Sequence, residues 1–241
     1  WVRERYGLES FAYADDPVGS ASLRYGISNA LTLETHAEAT EGLAVAGAGV
    51  AWLADMAGVF NLAYARSRSD GGAGGQVAMG WSWNDSRYQF ALDTRRTHGD
   101  YRDVAARHGP LPPRRSDRAV AGINSVAGSF GVTWVQLDQS IPEPTAAGSP
   151  VTPERNRYAG FYWNHGFDNG WYANASINQG LDGGRDRSAF IGLTIPLGRD
   201  ARRQAALSWQ RDAGGDSVVA DVAQPVPGDG GTGWRVQARA G

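Results

Sequence analysis

The chain has 241 residues with 23 basic and 25 acidic groups, a formal net charge of -2, so it carries no basic field large enough to hold nucleic acid. Cysteine is absent, which excludes a disulfide framework, a thiolate metal site and a cysteine nucleophile. Its 33 glycines and 10% aromatic residues make a composition unlike that of a helical protein.

The first element in chain order is a hairpin. In 21–26, Ser22, Arg24 and Gly26 alternate with Ala21, Leu23 and Tyr25, and Ser28-Asn29 supplies turn chemistry. In 31–39, Leu31, Leu33, Ala37 and Ala39 fall on one face, and Thr32, Glu34, His36 and Glu38 on the other. A period of two means a strand, because successive side chains point to opposite faces.

Residues 42–65 carry one charge, Asp55, and two readings compete for them. A membrane-spanning helix would hold Asp55 mid-span at a cost of about 2.5–3.5 kcal/mol and would be weakened by Gly42, Gly47, Gly49 and Gly58. Two strands joined at Ala54-Asp55-Met56-Ala57 incur no such cost and are expected instead.

Alternation continues with Phe60, Leu62 and Tyr64 in 59–67, Val77, Met79, Trp81 and Trp83 in 76–84, and Tyr88, Phe90 and Leu92 in 88–95. Further strands are expected near 118–125, 130–138, 156–164, 171–178, 188–196, 203–211, 217–222 and 234–239. The series comes to roughly 14 strands about 17 residues apart, the rhythm of strand plus turn in a large up-and-down barrel. Short turns, such as 84–86 and 126–129, stand against longer stretches at 96–117 and 139–155. Those hold Pro110, Pro112, Pro113, Pro142, Pro144, Pro150 and Pro153, which cannot donate into a ladder. Short turns on one side and long loops on the other are the outer-membrane habit.

A soluble sandwich also alternates, so the placement of aromatics matters. Trp52, Trp81, Trp83, Tyr88, Trp134, Trp163 and Trp171 are expected toward strand ends, where an amphipathic ring sits well at headgroup level. The opposite faces are polar or tiny: Gln76, Ala78, Gly80 and Ser82, then Gln89, Ala91, Asp93 and Arg95, then Tyr172, Asn174, Ser176 and Asn178. Such faces suit a watered lumen. Phe60, Leu62, Val77, Met79, Phe90, Leu92, Ala189, Ile191, Leu193 and Ile195 would then meet lipid. The fold expected is all-β, an antiparallel transmembrane β-barrel of which these strands form part. Closure of such a barrel satisfies every backbone group.

Enzymatic chemistry finds no support. His36, His98, His108 and His165 lie far apart with no neighbour at metal-ligand spacing, so no metal site is expected. The stretches at 70–72, 182–184 and 228–231 lack the nine-residue period of calcium-binding repeats, and 228–233 is not followed by the Lys-Ser or Lys-Thr of a phosphate-binding loop. Glu34 and Glu38 lie about 13 Å apart along a strand, beyond the usual separation of paired catalytic carboxylates. No nucleophile elbow is present.

The run 23–39, LRYGISNALTLETHAEA, resembles the strand-turn-strand of fimbrial outer-membrane ushers just after their plug, with its Arg24-Tyr25-Gly26, polar turn and threonine-rich strand. Tyr6-Gly7, the aromatic strand 80–84, HGDYRDVA at 98–105 and PVPGDGGTGWRVQA at 225–238 resemble the same family in the same order. Within it the likeness is to ushers of spore-coat-U-like pili. The resemblance implies a multi-pass bacterial outer-membrane pore that secretes and assembles pilin subunits delivered by a periplasmic pilus chaperone. It implies outer-membrane lipid around the barrel and no cofactor or nucleotide.

Residues 1–241 are then part of the usher barrel, and the periplasmic amino-terminal domain, the plug and the carboxy-terminal domains have no counterpart here. The start at Trp1 and the end at Ala240-Gly241 accord with an internal fragment. Lumen-lining candidates are Glu34, His36, Glu38, Asp93, Arg95, Asn174 and Asn178, whose mixed charges would keep a transiting protein mobile. Two other readings remain: a small-solute porin with a constriction loop folded inside, and a soluble ligand-binding sandwich.

Overall fold

The structure, a computed structural model, describes residues 16–107, 109–139, 155–183, 186–198, 203–226 and 230–241. Tyr6-Gly7, His108, Pro142, Pro144, Pro150, Pro153, Gly184, Gly228 and Asp229 lie outside the described residues.

Among the described residues fourteen antiparallel strands form one sheet, each bonded to the next in chain order. They are β1 (Gly19–Gly26), β2 (Leu31–Thr40), β3 (Leu43–Leu53), β4 (Val59–Ser69), β5 (Gly72–Asn84), β6 (Tyr88–Gly99), β7 (Arg115–Ser125), β8 (Gly128–Asp138), β9 (Arg155–Gly166), β10 (Tyr172–Gly180), β11 (Arg187–Leu197), β12 (Arg203–Asp212), β13 (Gly215–Gln224) and β14 (Trp234–Ala240). The one α-helix among the described residues, α1 (Val104–Arg107), lies between β6 and β7. Among the described residues no helix is long and apolar enough to cross a membrane, which bears only on helices.

Local chemistry explains the turns. Between β1 and β2, the Ser28 hydroxyl oxygen accepts the backbone N–H of Ala30 at 3.2 Å and of Leu31 at 3.1 Å. Between β5 and β6, Asp85 accepts the N–H of Tyr88 at 2.6 Å and of Arg87 at 2.7 Å, and these two bonds hold its carboxyl below the ordinary carboxylate range. Residues 42–65 resolve into β3 and β4 joined by a 3-10 turn, Asp55–Ala57. Asp55 has φ 45° and Gly58 φ 90°, backbone that no right-handed helix accommodates. A Cβ on Gly58 would sit 2.2 Å from the Ser82 carbonyl oxygen, so glycine is needed there. The Trp81 and Trp83 indoles pin this turn, donating to the carbonyls of Ala57 at 2.8 Å and Met56 at 2.7 Å.

Two expectations need correction. Trp134 lies mid-strand in β8 rather than near an end. The connections also segregate only in part. The long ones follow β6 and β8, but the tight Glu41-Gly42 and Asp70-Gly71 turns follow β2 and β4 and so share the long loops' end of an alternating antiparallel sheet.

Packing divides the chain into two units. The first is Trp1–Asn84, Ala91–Ala119 and Val135–Asn156, and the second Asp85–Phe90, Val120–Trp134 and Arg157–Gly241. In the first, Tyr25, Leu33, Val50, Leu62 and Met79 face one another in register across β1 to β5. One residue along, Arg24, Glu34, Gly49, Ala63 and Ala78 make the neighbouring row. Adjacent rows point to opposite faces, so the row through Leu33 and Leu62 on one face is apolar and the row through Glu34 and Ala63 on the other is polar or tiny. In the second, Ala175, Ile191, Trp209 and Val218 align on one face, and Asn164, Asn174, Gly192 and Ser208 on the other.

Neither unit buries its apolar face. Leu62 is 48% exposed and Met79 52%; in the second unit Ile191 is 56% and Leu207 53%. A soluble sandwich would cover such rows with a second sheet, since large contiguous apolar patches on soluble proteins are rare.

Candidate functional site: the polar face of the sheet

The first unit gathers its charged groups over a floor of very small residues. On β2, Glu34, His36 and Glu38 alternate outward on the polar face, and their partners on β3 are Gly49, Gly47 and Val45. Next to these on β4 come Ala63, Ala65 and Ser67. Arg24 Nε lies 3.1 Å from Glu34 Oε1, and His36 Nε2 lies 2.8 Å from Glu38 Oε1. These pairs are largely exposed, so each contributes roughly 0–1 kcal/mol to stability. Their effect is on the character of the surface, where Arg24 sets a positive charge against Glu34 and His36 hydrogen-bonds Glu38.

The segment after β6 folds onto this same face. Tyr101 and Val104 are buried against Leu43 and Val45 of β3, with Val18 and Ala65 packed beside them. Ser67 Oγ accepts the N–H of Arg102 at 2.9 Å, and Glu38 Oε2 accepts that of Val104 at 3.3 Å. Arg107 donates to the Glu41 carbonyl and pairs with Asp16 at 3.1 Å. Burial pushes the Tyr101 phenol above its ordinary value, and the nearby charges of Asp103 and Glu38 push the same way, so the ring stays neutral.

A cavity of about 570 Å³ lies between this segment and the sheet, lined by Glu34, His36 and Glu38 with Gln76, Tyr101 and Asp103. A smaller one of about 280 Å³ adjoins it and is lined by Glu34, Asp93 and Arg95 over Ala78 and Gly80. Five of the seven residues singled out from the sequence therefore share one face of the first unit, with Glu34 common to both cavities.

Asn174 and Asn178 belong to the second unit, again on its polar face. Asn178 donates to Ser188 Oγ at 3.4 Å. The Asn178 and Asn174 side-chain oxygens lie 2.6 Å from where Cβ atoms of Gly160 and Gly192 would stand. In the same unit, Gln89 donates to the Tyr162 hydroxyl at 2.6 Å, with Gly122 beneath Gln89 and Gly131 beneath the Tyr162 ring. Glycine on one strand thus lets a polar or aromatic side chain from another lie flat against the wall. Among the described residues no group of His, Asp and Glu is arranged to hold a metal ion.

Sequence reasoning missed Tyr101, Asp103 and the inward path of their segment. The only signal was indirect: a Gly74-Gly75 pair inside a strand, a pattern that marks close backbone approach.

No protein-family model and no curated protein matches the sequence. Among solved structures the chain is similar to the P pilus usher (PapC) translocation pore, with a TM-score of 0.53 and 17% identity over 93% of this chain. The chain spans 46% of that protein's length. At this identity the likeness shows the fold alone: a run of antiparallel β-barrel strands.

Proposed function

We propose that these residues form part of the wall of a bacterial outer-membrane usher pore, through which chaperone-delivered pilin subunits are secreted and assembled into a fimbria. The observation that carries this reading is the pairing of rows. An uncovered apolar row next to a small, charge-balanced polar row is the pattern of a strand with lipid on one side and water on the other. Similarity of fold to a usher translocation pore supports the narrower assignment. On this reading Glu34, His36, Glu38, Asp93, Arg95, Asn174 and Asn178 line the lumen, and the remaining usher domains lie outside these residues. The barrel acts passively: it supplies a wide aqueous path, and exchange of strands between subunits drives assembly.

The test is genetic. Deleting the gene should abolish a surface fibre and leave pilin with its chaperone in the periplasm, and the gene in trans should restore the fibre. Normal fibres in the deletion strain would refute the pilus assignment.

A small-solute porin is the second reading, and one observation favours it: the 100–107 segment folds onto the polar face as a constriction loop would. Refolding residues 1–241 in detergent separates the two. Among the described residues β1 and β14 end the strand order, and unpaired strand edges are costly in hydrocarbon, so no discrete channels are expected from this stretch alone. Reproducible monomeric channels would favour the porin.

A further inference from the structure

On the apolar face of the first unit, side chains change in kind along the strands. β4 presents Phe60, Leu62, Tyr64, Arg66 and Arg68 in turn, and β6 presents Leu92, Thr94, Arg96 and His98. Phe60 lies beside Trp52 and Trp81, with ring centres 5.7 and 6.5 Å apart. At roughly 3.3 Å per residue, Arg66 stands about 20 Å further along the strand. That separation approaches the height of a barrel's apolar band, about 25 Å. An aromatic margin and an arginine margin therefore bracket the aliphatic rows.

The arginines are not equivalent. Arg96 and Arg115 both donate to the buried carboxylate of Asp117 at 2.5 Å. Arg66 and Arg68 are exposed, and among the described residues neither has a carboxylate within ion-pair distance. They border a groove of about 730 Å³ lined also by Ala44, Ala46, Ala73, Ser69 and Asp70. Their cross-strand partners are alanine or glycine on both sides: Ala46 and Gly75 for Arg66, Ala44 and Ala73 for Arg68. Two guanidinium forks with no ion-pair partner among the described residues thus stand beside a groove of small side chains and one carboxylate, Asp70.

We propose that this groove holds the phosphate-bearing headgroup of an anionic membrane lipid, with Arg66 and Arg68 as its donors. The inference rests on the reading that the apolar face meets lipid. Arginine at a bilayer margin reaches headgroup level with its charged end while its stem covers apolar surface. A phosphate accepts two parallel N–H···O bonds from one guanidinium, which a lysine ammonium cannot supply, and in a zwitterionic lipid the quaternary ammonium beside the phosphate offsets the charge that two arginines attract. Residues two apart on one strand face place the two forks roughly 7 Å apart, within reach of a single headgroup. The small side chains lining the groove leave the volume that headgroup needs. Asp117 marks the contrast: where the fold intends arginines to be neutralised internally, it provides the acid.

The test places the purified protein in phosphatidylcholine nanodiscs with and without added phosphatidylglycerol, then counts the lipid retained after re-extraction by native mass spectrometry. Wild type should retain phosphatidylglycerol in preference to phosphatidylcholine, and R96Q/R115Q should do the same. R66Q/R68Q should lose that retention by about tenfold or more, the scale of one charge-assisted contact. R66K/R68K keeps the charge without the fork and should fall between, which separates recognition from a folding defect. Equal retention by wild type and R66Q/R68Q would overturn the proposal, as would equal retention of the neutral lipid or displacement of bound lipid by inorganic phosphate. Failure of the wild-type protein to enter neutral nanodiscs would refute the membrane reading itself. Entry without lipid selection would refute this proposal alone.

Discussion

Gly74 of β5 and Tyr101 are in backbone contact: a Cβ on Gly74 would stand 2.0 Å from the Tyr101 nitrogen and 2.5 Å from its Cα. The inward path of 100–107 therefore depends on a missing side chain two strands' worth of sequence away. Gly74→Val should expel the segment from the polar face while leaving β5 paired. The loss would include burial of Tyr101 and Val104, each worth about 1.5–3 kcal/mol when fully covered. A cysteine at Ala106, which is buried, checks this. Its reaction with a water-soluble maleimide should be slow in the parent and fast beside Gly74→Val. An unchanged rate would show that the contact does not hold the segment.

The two faces should tolerate charge unequally. Leu33 lies in the apolar row and Glu34 in the polar one. Leu33→Arg should cost roughly 2–4 kcal/mol if it sits near mid-bilayer. Glu34→Arg loses an exposed pair with Arg24 worth at most about 1 kcal/mol. Heat-modifiable migration should therefore fall sharply for the first and little for the second. Equal loss, or the reverse order, would mean the faces are assigned the wrong way round.

Flat-lying side chains predict which glycines matter. A Cβ on Gly131 would meet the Tyr162 ring at 2.3 to 2.4 Å, whereas one on Gly26 meets nothing within 4 Å. Gly131→Val should destabilise the barrel by about 1–3 kcal/mol through overpacking, and Gly26→Val by much less. Urea titration in detergent measures both. Similar midpoints for the two variants would dismiss the packing role.

The strands were legible because a period of two is a local property: Leu31 and Glu34 announce their faces without knowledge of any partner. The 42–65 region yielded for the same reason, since Asp55 and Gly58 mark a turn wherever the rest of the chain lies. What the sequence hid is non-local. Nothing in HGDYRDVA says that Tyr101 folds against Val45, because the contact is permitted by Gly74 and anchored by Ser67. α1, at four residues, is too short to show a helical period. Glu34, His36 and Glu38 were readable as one face, but their sharing of a cavity with Asp103 was not. That Arg66 and Arg68 have no ion-pair partner among the described residues, while Arg96 and Arg115 share Asp117, likewise appears only once cross-strand partners are known.

The absence of cysteine makes the central claim, that one face meets water and the other lipid, directly measurable. Single cysteines at Phe60, Asn61, Leu62 and Ala63 on β4, and at Asn174, Ala175, Ser176 and Ile177 on β10, would be read in lipid vesicles with a water-soluble maleimide and a lipid-soluble fluorescence quencher. The account predicts strict alternation: positions 61, 63, 174 and 176 react with the maleimide and escape quenching, while 60, 62, 175 and 177 do the opposite. Equal maleimide reaction at both parities would contradict it and return the chain to the class of water-soluble β-proteins.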